Sequence, residues 1–176
     1  MAMTRHTVED VETLKAMTHP LRLRLLGLLR TDGPATATEL ARIVGESSGS
    51  TSYHLRQLER YGFVTDAAEQ RSGRERLWQA AHELTSLPDR LAALPGGRAA
   101  LDQLSRFQLG LLADGVRAWR ELDDPDGYGQ SDYSLDLDPD DLRELAEEIT
   151  ALVSRYRGRA GSRPVALHVL ALPRTL

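Results

Sequence analysis

The 176-residue chain contains no cysteine. That absence removes disulfides, zinc ribbons, thiolate metal sites and thiol nucleophiles together, and it fits a reducing compartment. No apolar run approaches the roughly 20 residues needed to cross a bilayer, and the first residues, MAMTRHTVED, lack the apolar core of a signal peptide. The expected location is the cytoplasm, with no membrane partner. A Gly-rich phosphate loop, a nucleophile elbow and a His-containing metal motif are also missing. The expectation is therefore a protein that is not an enzyme and takes no cofactor. The histidines His6, His19, His54, His82 and His168 are scattered without the spacing of metal ligands. Asp136, Asp138, Asp140 and Asp141 offer the oxygen donors a hard cation favours. No EF-hand loop accompanies them, and Asp138-Pro139 has a simpler use as a helix N-cap and first helical residue. No metal site is expected.

An excess of positive charge is missing too, since the formal net charge is −4. The balance is uneven along the chain. Residues 1–81 hold 11 Lys+Arg against 10 Asp+Glu, whereas residues 82–176 hold 11 against 16. Between Glu121 and Glu148 there are 12 carboxylates opposed only by Arg143, a surface that repels phosphate. Nucleic-acid binding, if present, belongs to the front half.

Apolar periodicity there predicts a row of short helices. Val8, Val11, Leu14 and Met17 mark one over Thr7–Met17, and a boundary follows at His19-Pro20. Leu21, Leu25, Leu28 and Leu29, widened by Leu23 and Leu26, mark a second helix buried on most sides, stopped by Asp32-Gly33-Pro34. "TATEL" has the form of a capping box between Thr36 and Glu39. The helix it starts shows Leu40, Ile43 and Val44 on its apolar side and ends at Gly45. Ser47 is then a plausible N-cap for a fourth helix of about residues 47–61. At 100° per residue, Thr51, Leu55 and Leu58 share its inner side. Gly49, Tyr53, Arg56, Gln57 and Arg60 project from the other, with His54 near the border. Two strands follow, Phe63–Ala67 and Glu75–Ala80, joined by a turn around Ser72-Gly73. Arg71, Arg74 and Arg76 gather at that hairpin's tip, where an exposed cationic group beside a cationic helix suits a phosphate backbone.

Helices followed by a wing of about residues 63–80 describe a winged helix-turn-helix. The stretch "MTHPLRLRLLGLLR…TATELARIVGESSGSTSYHLRQLERYGFV" resembles the ArsR-type bacterial transcriptional regulators. Ser47, Ser52, His54, Leu55, Leu58 and Gly62 occupy that family's pattern, and "SGRERLW" fits its wing. The resemblance covers about residues 10–81. It implies a homodimer that lays one recognition helix per subunit in successive major grooves of double-stranded operator DNA, usually as a repressor. Ser48, Ser50, Tyr53 and Gln57 would read bases, and Arg56 would reach a guanine edge or a phosphate. Arg60, Arg71, Arg74 and Arg76 would hold phosphate. Ser52 and His54 join the DNA-binding set through the matched pattern, His54 chiefly as an anchor of the helix, while Thr51 packs inward. The cysteine metal site of many relatives cannot form in "TATELARIVG", and the long C-terminal helix has no histidine for the other known site.

In the back half, Leu101, Leu104, Gln108, Leu111, Leu112, Val116, Trp119 and Leu122 give a long helix a broad seam suited to pairing with its twin, with burial inside one subunit as the competing reading. Beyond residues 123–127 an alternating "YSLDL", a helix carrying Leu142, Leu145, Ile149, Leu152, Val153 and Tyr156, and an apolar "PVALHVLAL" suggest a β-α-β appendage. The expected class is mainly α with small β (α+β). Residues 1–82 form the winged helix-turn-helix domain, 83–126 a helical dimerisation region and 127–176 a small α/β region of unassigned role. Two alternatives stand beside DNA binding. One is a winged helix that binds protein, which requires an apolar outer face. The other is a regulator whose metal or small-molecule effector occupies the C-terminal region.

Overall fold

A computed structural model describes residues 4–68, 75–124, 128–156, 159, 161 and 165–173. Their elements run β1 (Arg5–Thr7), α1 (Val11–Met17), α2 (Pro20–Thr31), β2 (Ala35–Thr36), α3 (Ala37–Val44), α4 (Ser48–Arg60), β3 (Val64–Asp66), β4 (Leu77–Ala80), β5 (Leu84–Ser86), a 3-10 turn (Asp89–Ala93), α5 (Gly97–Arg120) and α6 (Pro139–Ser154). The class is α+β, a helical protein with two small sheets. Among the described residues, no helix is long and apolar enough to cross a membrane. The chain divides into two compact units, one through Leu111 and one from Leu112 onward.

Local chemistry sets the helix ends in the first unit. Asp10 caps α1, its carboxylate accepting the Thr13 amide at 2.8 Å, so the helix begins four residues later than the apolar spacing alone predicts. The preceding Arg5–Thr7 pairs in parallel with Leu84–Ser86 instead. His19 caps α2 through Nδ1, which accepts the Leu21 amide at 3.2 Å, and Pro20 follows as its first residue. The Thr36–Glu39 capping box forms in both directions, at 3.2 and 2.7 Å. Gly45 closes α3 in the left-handed region at φ 76°, which a side chain would strain. At the start of α5 a Cβ on Gly97 would lie 1.7 Å from the Leu91 carbonyl oxygen, so only glycine fits.

Leu25, Leu26 and Leu29 of α2, Leu40 of α3 and Leu55 and Leu58 of α4 meet Phe63, Val64 and Trp78 in one core, with Leu14 and Met17 of α1 and Ala100 and Leu104 of α5. Each fully buried leucine contributes about 1.5–3 kcal/mol. Ile43 departs from expectation at 52% exposure. The inner stripe of α3 is Leu40, Ala41 and Val44, and Ile43 falls on its solvent side. The wing gains a third strand: β4 pairs antiparallel with β3 on one edge and with the two-residue β2 on the other.

In the second unit α6 forms with Asp138 as its N-cap and Pro139 as its first residue. Among the described residues, the helix of the expected β-α-β appendage forms but its strands do not. Neither 128–138 nor 165–173 is a strand. Two strands without a third, or a covered face, do not hold a sheet in water.

Candidate nucleic-acid interface

Helix α4 is fixed from below and free above. Ser47 caps it, accepting the Ser50 amide at 3.1 Å. Thr51, Leu55 and Leu58 are fully buried, as the 100° spacing predicts. Gly62, at φ 75°, then turns the chain, and the Phe63 amide donates to the Leu58 carbonyl at 2.9 Å, leading straight into the wing. With the inner side held by three buried residues, the outer side has a defined direction.

Ser48, Tyr53, Arg56 and Arg60 are exposed on that outer side, and Ser50, Ser52 and Gln57 are half-buried along its flanks. Tyr53 is 56% exposed. Among the described residues Arg56 has no hydrogen bond or ion pair, while the Arg60 guanidinium lies 5.7 Å from the Tyr61 ring centroid. Arg71 and Arg74 lie outside the described residues.

His54 is placed inward. Its ring lies 4.3 Å from that of His19, centroid to centroid, where α4 crosses the start of α2. Its Nδ1 is buried without a partner among the described residues. Burial lowers the pKa of His54, with His19 and Arg22 adding to the effect and Glu46 opposing it. His19 is lowered by burial and then by Arg22, again against Glu46. Arg22 itself holds the end of α1, donating to the Ala16 carbonyl and, at 3.0 Å, to the Lys15 carbonyl. Both imidazoles are therefore favoured neutral, and only a neutral His19 keeps the Nδ1 lone pair that caps α2. The unfolded chain binds more protons than the folded one below the ordinary histidine pKa of about 6.5. Stability from this pair is complete above that pH and is lost as pH falls toward the depressed folded values. His6, lowered by burial, His82 and Arg30, adds to the same slope. A lower urea midpoint at pH 5 than at pH 7.5 is expected, with His19→Asn, which keeps a capping oxygen, removing part of the difference. Equal midpoints at the two pH values would contradict this.

Arg76, expected from the sequence to hold phosphate, is paired within the protein. Its guanidinium donates to Glu59 of α4 at 3.2 Å and to Asp66 of β3, and it stacks 3.9 Å from the centroid of the Trp78 ring. These partners raise its pKa, the Asp66 hydrogen bond most and the Glu59 bond next. Sequence showed the basic tip but not this cage, because Glu59 and Asp66 come near Arg76 only once the wing has folded back on α4. Glu59 thereby ties α4 to the wing. A second tie joins Thr38 of α3 to Glu75, at 2.9 Å.

Residues 17–67 match a family model described as a helix-turn-helix domain, a span running from the end of α1 past β3. Among curated proteins the chain is similar to the HTH-type transcriptional regulator YgaV of Escherichia coli (strain K12), 43% identical over 51 residues, or 29% of this chain and 52% of that protein. The chain spans about half the length of that relative. Solved structures with a looser likeness include an apo-form mutant of ZitR from Lactococcus lactis, 11% identical with a TM-score of 0.35, covering 80% of this chain and 84% of that one. Another is RV1404 from Mycobacterium tuberculosis, 16% identical with a TM-score of 0.35, covering 87% and 86%. Likenesses at that level carry no weight on function.

Proposed function

We propose that this chain is a sequence-specific DNA-binding transcriptional regulator of the ArsR type, acting as a homodimeric repressor on operator DNA. The observation that carries the reading is the two-sided character of α4: three fully buried residues fix the helix, and Tyr53, Arg56 and Arg60 stand outward with Gln57 at the flank. A protein-docking face would be apolar, whereas these side chains offer donors to base edges and phosphates. The match of residues 17–67, which include α4, to a helix-turn-helix domain model supports it, as does the 43% identity over 51 residues to an HTH-type transcriptional regulator. Ser48, Ser50, Tyr53 and Gln57 read bases, Arg56 takes a guanine edge or phosphate, and Arg60 with the wing residues Arg71 and Arg74 holds phosphate. Ser52 lies along the helix, and His54 anchors it. Helix α5, with Leu109 and Leu111 exposed, offers a dimer contact.

Selection of bound duplexes from a random pool tests the reading. The expected product is an inverted repeat with half-site centres about one helical turn, roughly 10 base pairs, apart. Failure to enrich any duplex with a folded, dimeric protein would overturn it.

Glu59 supplies a sharper prediction. Glu59→Gln removes a carboxylate beside the proposed DNA surface and loosens Arg76 for phosphate. Affinity for arbitrary duplex at 0.1 M salt is expected to rise roughly 3- to 10-fold, with a steeper salt dependence, since each added phosphate contact steepens the log–log slope by about 0.9. Fluorescence anisotropy with a labelled random duplex measures it. An unchanged or weaker affinity would place Glu59 and Arg76 away from DNA.

A further inference from the structure

Residues 165–172, Val-Ala-Leu-His-Val-Leu-Ala-Leu, lie in neither helix nor strand and include no Asp, Glu, Lys or Arg. Val165, Leu167, Val169, Leu170 and Leu172 are all exposed. Among the described residues, no backbone hydrogen bond involves this segment. Apolar residues at both odd and even positions are the pattern of a strand covered on both faces, with neighbours on both edges. Residues 132–138 read differently. Tyr133, Leu135 and Leu137 alternate with Ser134 and Asp136, between Asp132 and Asp138, so a strand here has one apolar face and one acidic face. Such a strand suits the edge of a sheet, where charge blocks further strand addition.

One chain supplies one strand of each kind, joined through α6 as the crossover. A stable sheet needs three or more strands, and two chains supply four. Charge selects the order. Two copies of 165–172 bring no Asp, Glu, Lys or Arg together, whereas two copies of 132–138 would oppose aspartates.

We propose that residues 165–172 of two copies of this chain pair antiparallel at the centre of a shared four-stranded sheet, with residues 133–137 of each copy at its edges. The occupant of the exposed apolar segment is thus the same segment of a second chain. The assembly closes at two because both outer edges are acidic, which prevents the open-ended stacking that an uncharged apolar strand otherwise invites. The pairing is independent of the DNA reading.

The absence of native cysteine makes the test clean. Single cysteines are placed in turn at positions 165 to 172 of the full chain and oxidised mildly, with circular dichroism confirming retained helix. In a two-fold antiparallel pair one residue lies opposite its own copy. A covalent dimer is therefore expected at one position within 167–170. It should be lost two residues to either side, where the Cα atoms separate well beyond the roughly 7 Å a disulfide can span. No dimer at any position, equal yields along the whole segment, or protection of the segment only after a different macromolecule is added would each overturn the proposal. Duplex binding by the same oxidised proteins is read separately. Retained binding without cross-linking would overturn the shared sheet alone.

Discussion

Replacing Leu55 by alanine should cost about 3 kcal/mol of stability, within the roughly 2–5 kcal/mol range of fully buried Leu→Ala changes. Leu55 is completely buried and lies in the cluster that joins α4 to α2 and to Phe63 and Val64. Its removal opens a cavity against neighbours that are themselves fixed by caps and turns, so relaxation is limited. For a chain of this size the melting temperature should fall by about 6–12 °C. DNA affinity should fall with it, because the outer side of α4 takes its direction from the inner one. Calorimetry and anisotropy on the same preparation read both effects. A melting temperature within about 1 °C of the parent would show that Leu55 does not hold the helix.

The neighbouring position behaves in the opposite way. Arg56→Ala removes an exposed side chain with no ion pair or hydrogen bond among the described residues. Its effect on stability should stay within about 0.5 kcal/mol. On the selected operator, a base- or phosphate-contacting arginine is worth about 1–3 kcal/mol, and a dimer loses two of them. Affinity is therefore expected to fall at least about thirtyfold. Loss of stability with unchanged affinity would assign Arg56 to the fold rather than to DNA. Together, Leu55 and Arg56 separate the two sides of one helix by two different measurements.

The parts of this fold that the sequence made legible are those set by neighbours a few residues apart. The Thr36–Glu39 box, Gly45 as a left-handed stop, and the Thr51, Leu55 and Leu58 stripe are local, and all three form. What the sequence hid depends on distant partners. Arg5–Thr7 pairs with Leu84–Ser86 across nearly the whole first unit, and three-residue strands carry too little pattern to announce it. Arg76 reads as a free cation until folding brings Glu59 and Asp66 to it. His54 sits at the border of the helical wheel, and only the packing of α4 on α2 shows that it turns inward to His19. The C-terminal segments illustrate a further limit. Alternation and β-branched residues describe a surface able to join a sheet, but the hydrogen bonds of a strand belong to its neighbours.

The central claim is that the polar side of α4, with the wing beside it, lies against duplex DNA. Its most direct test is the salt dependence of binding to the selected operator between about 50 and 200 mM monovalent salt. With about three phosphate contacts per subunit and two subunits, the slope of log K against log salt is expected near −5. A slope near zero would contradict the claim, since no surface built on Arg56, Arg60 and the wing arginines can engage a phosphate backbone without releasing its counterions.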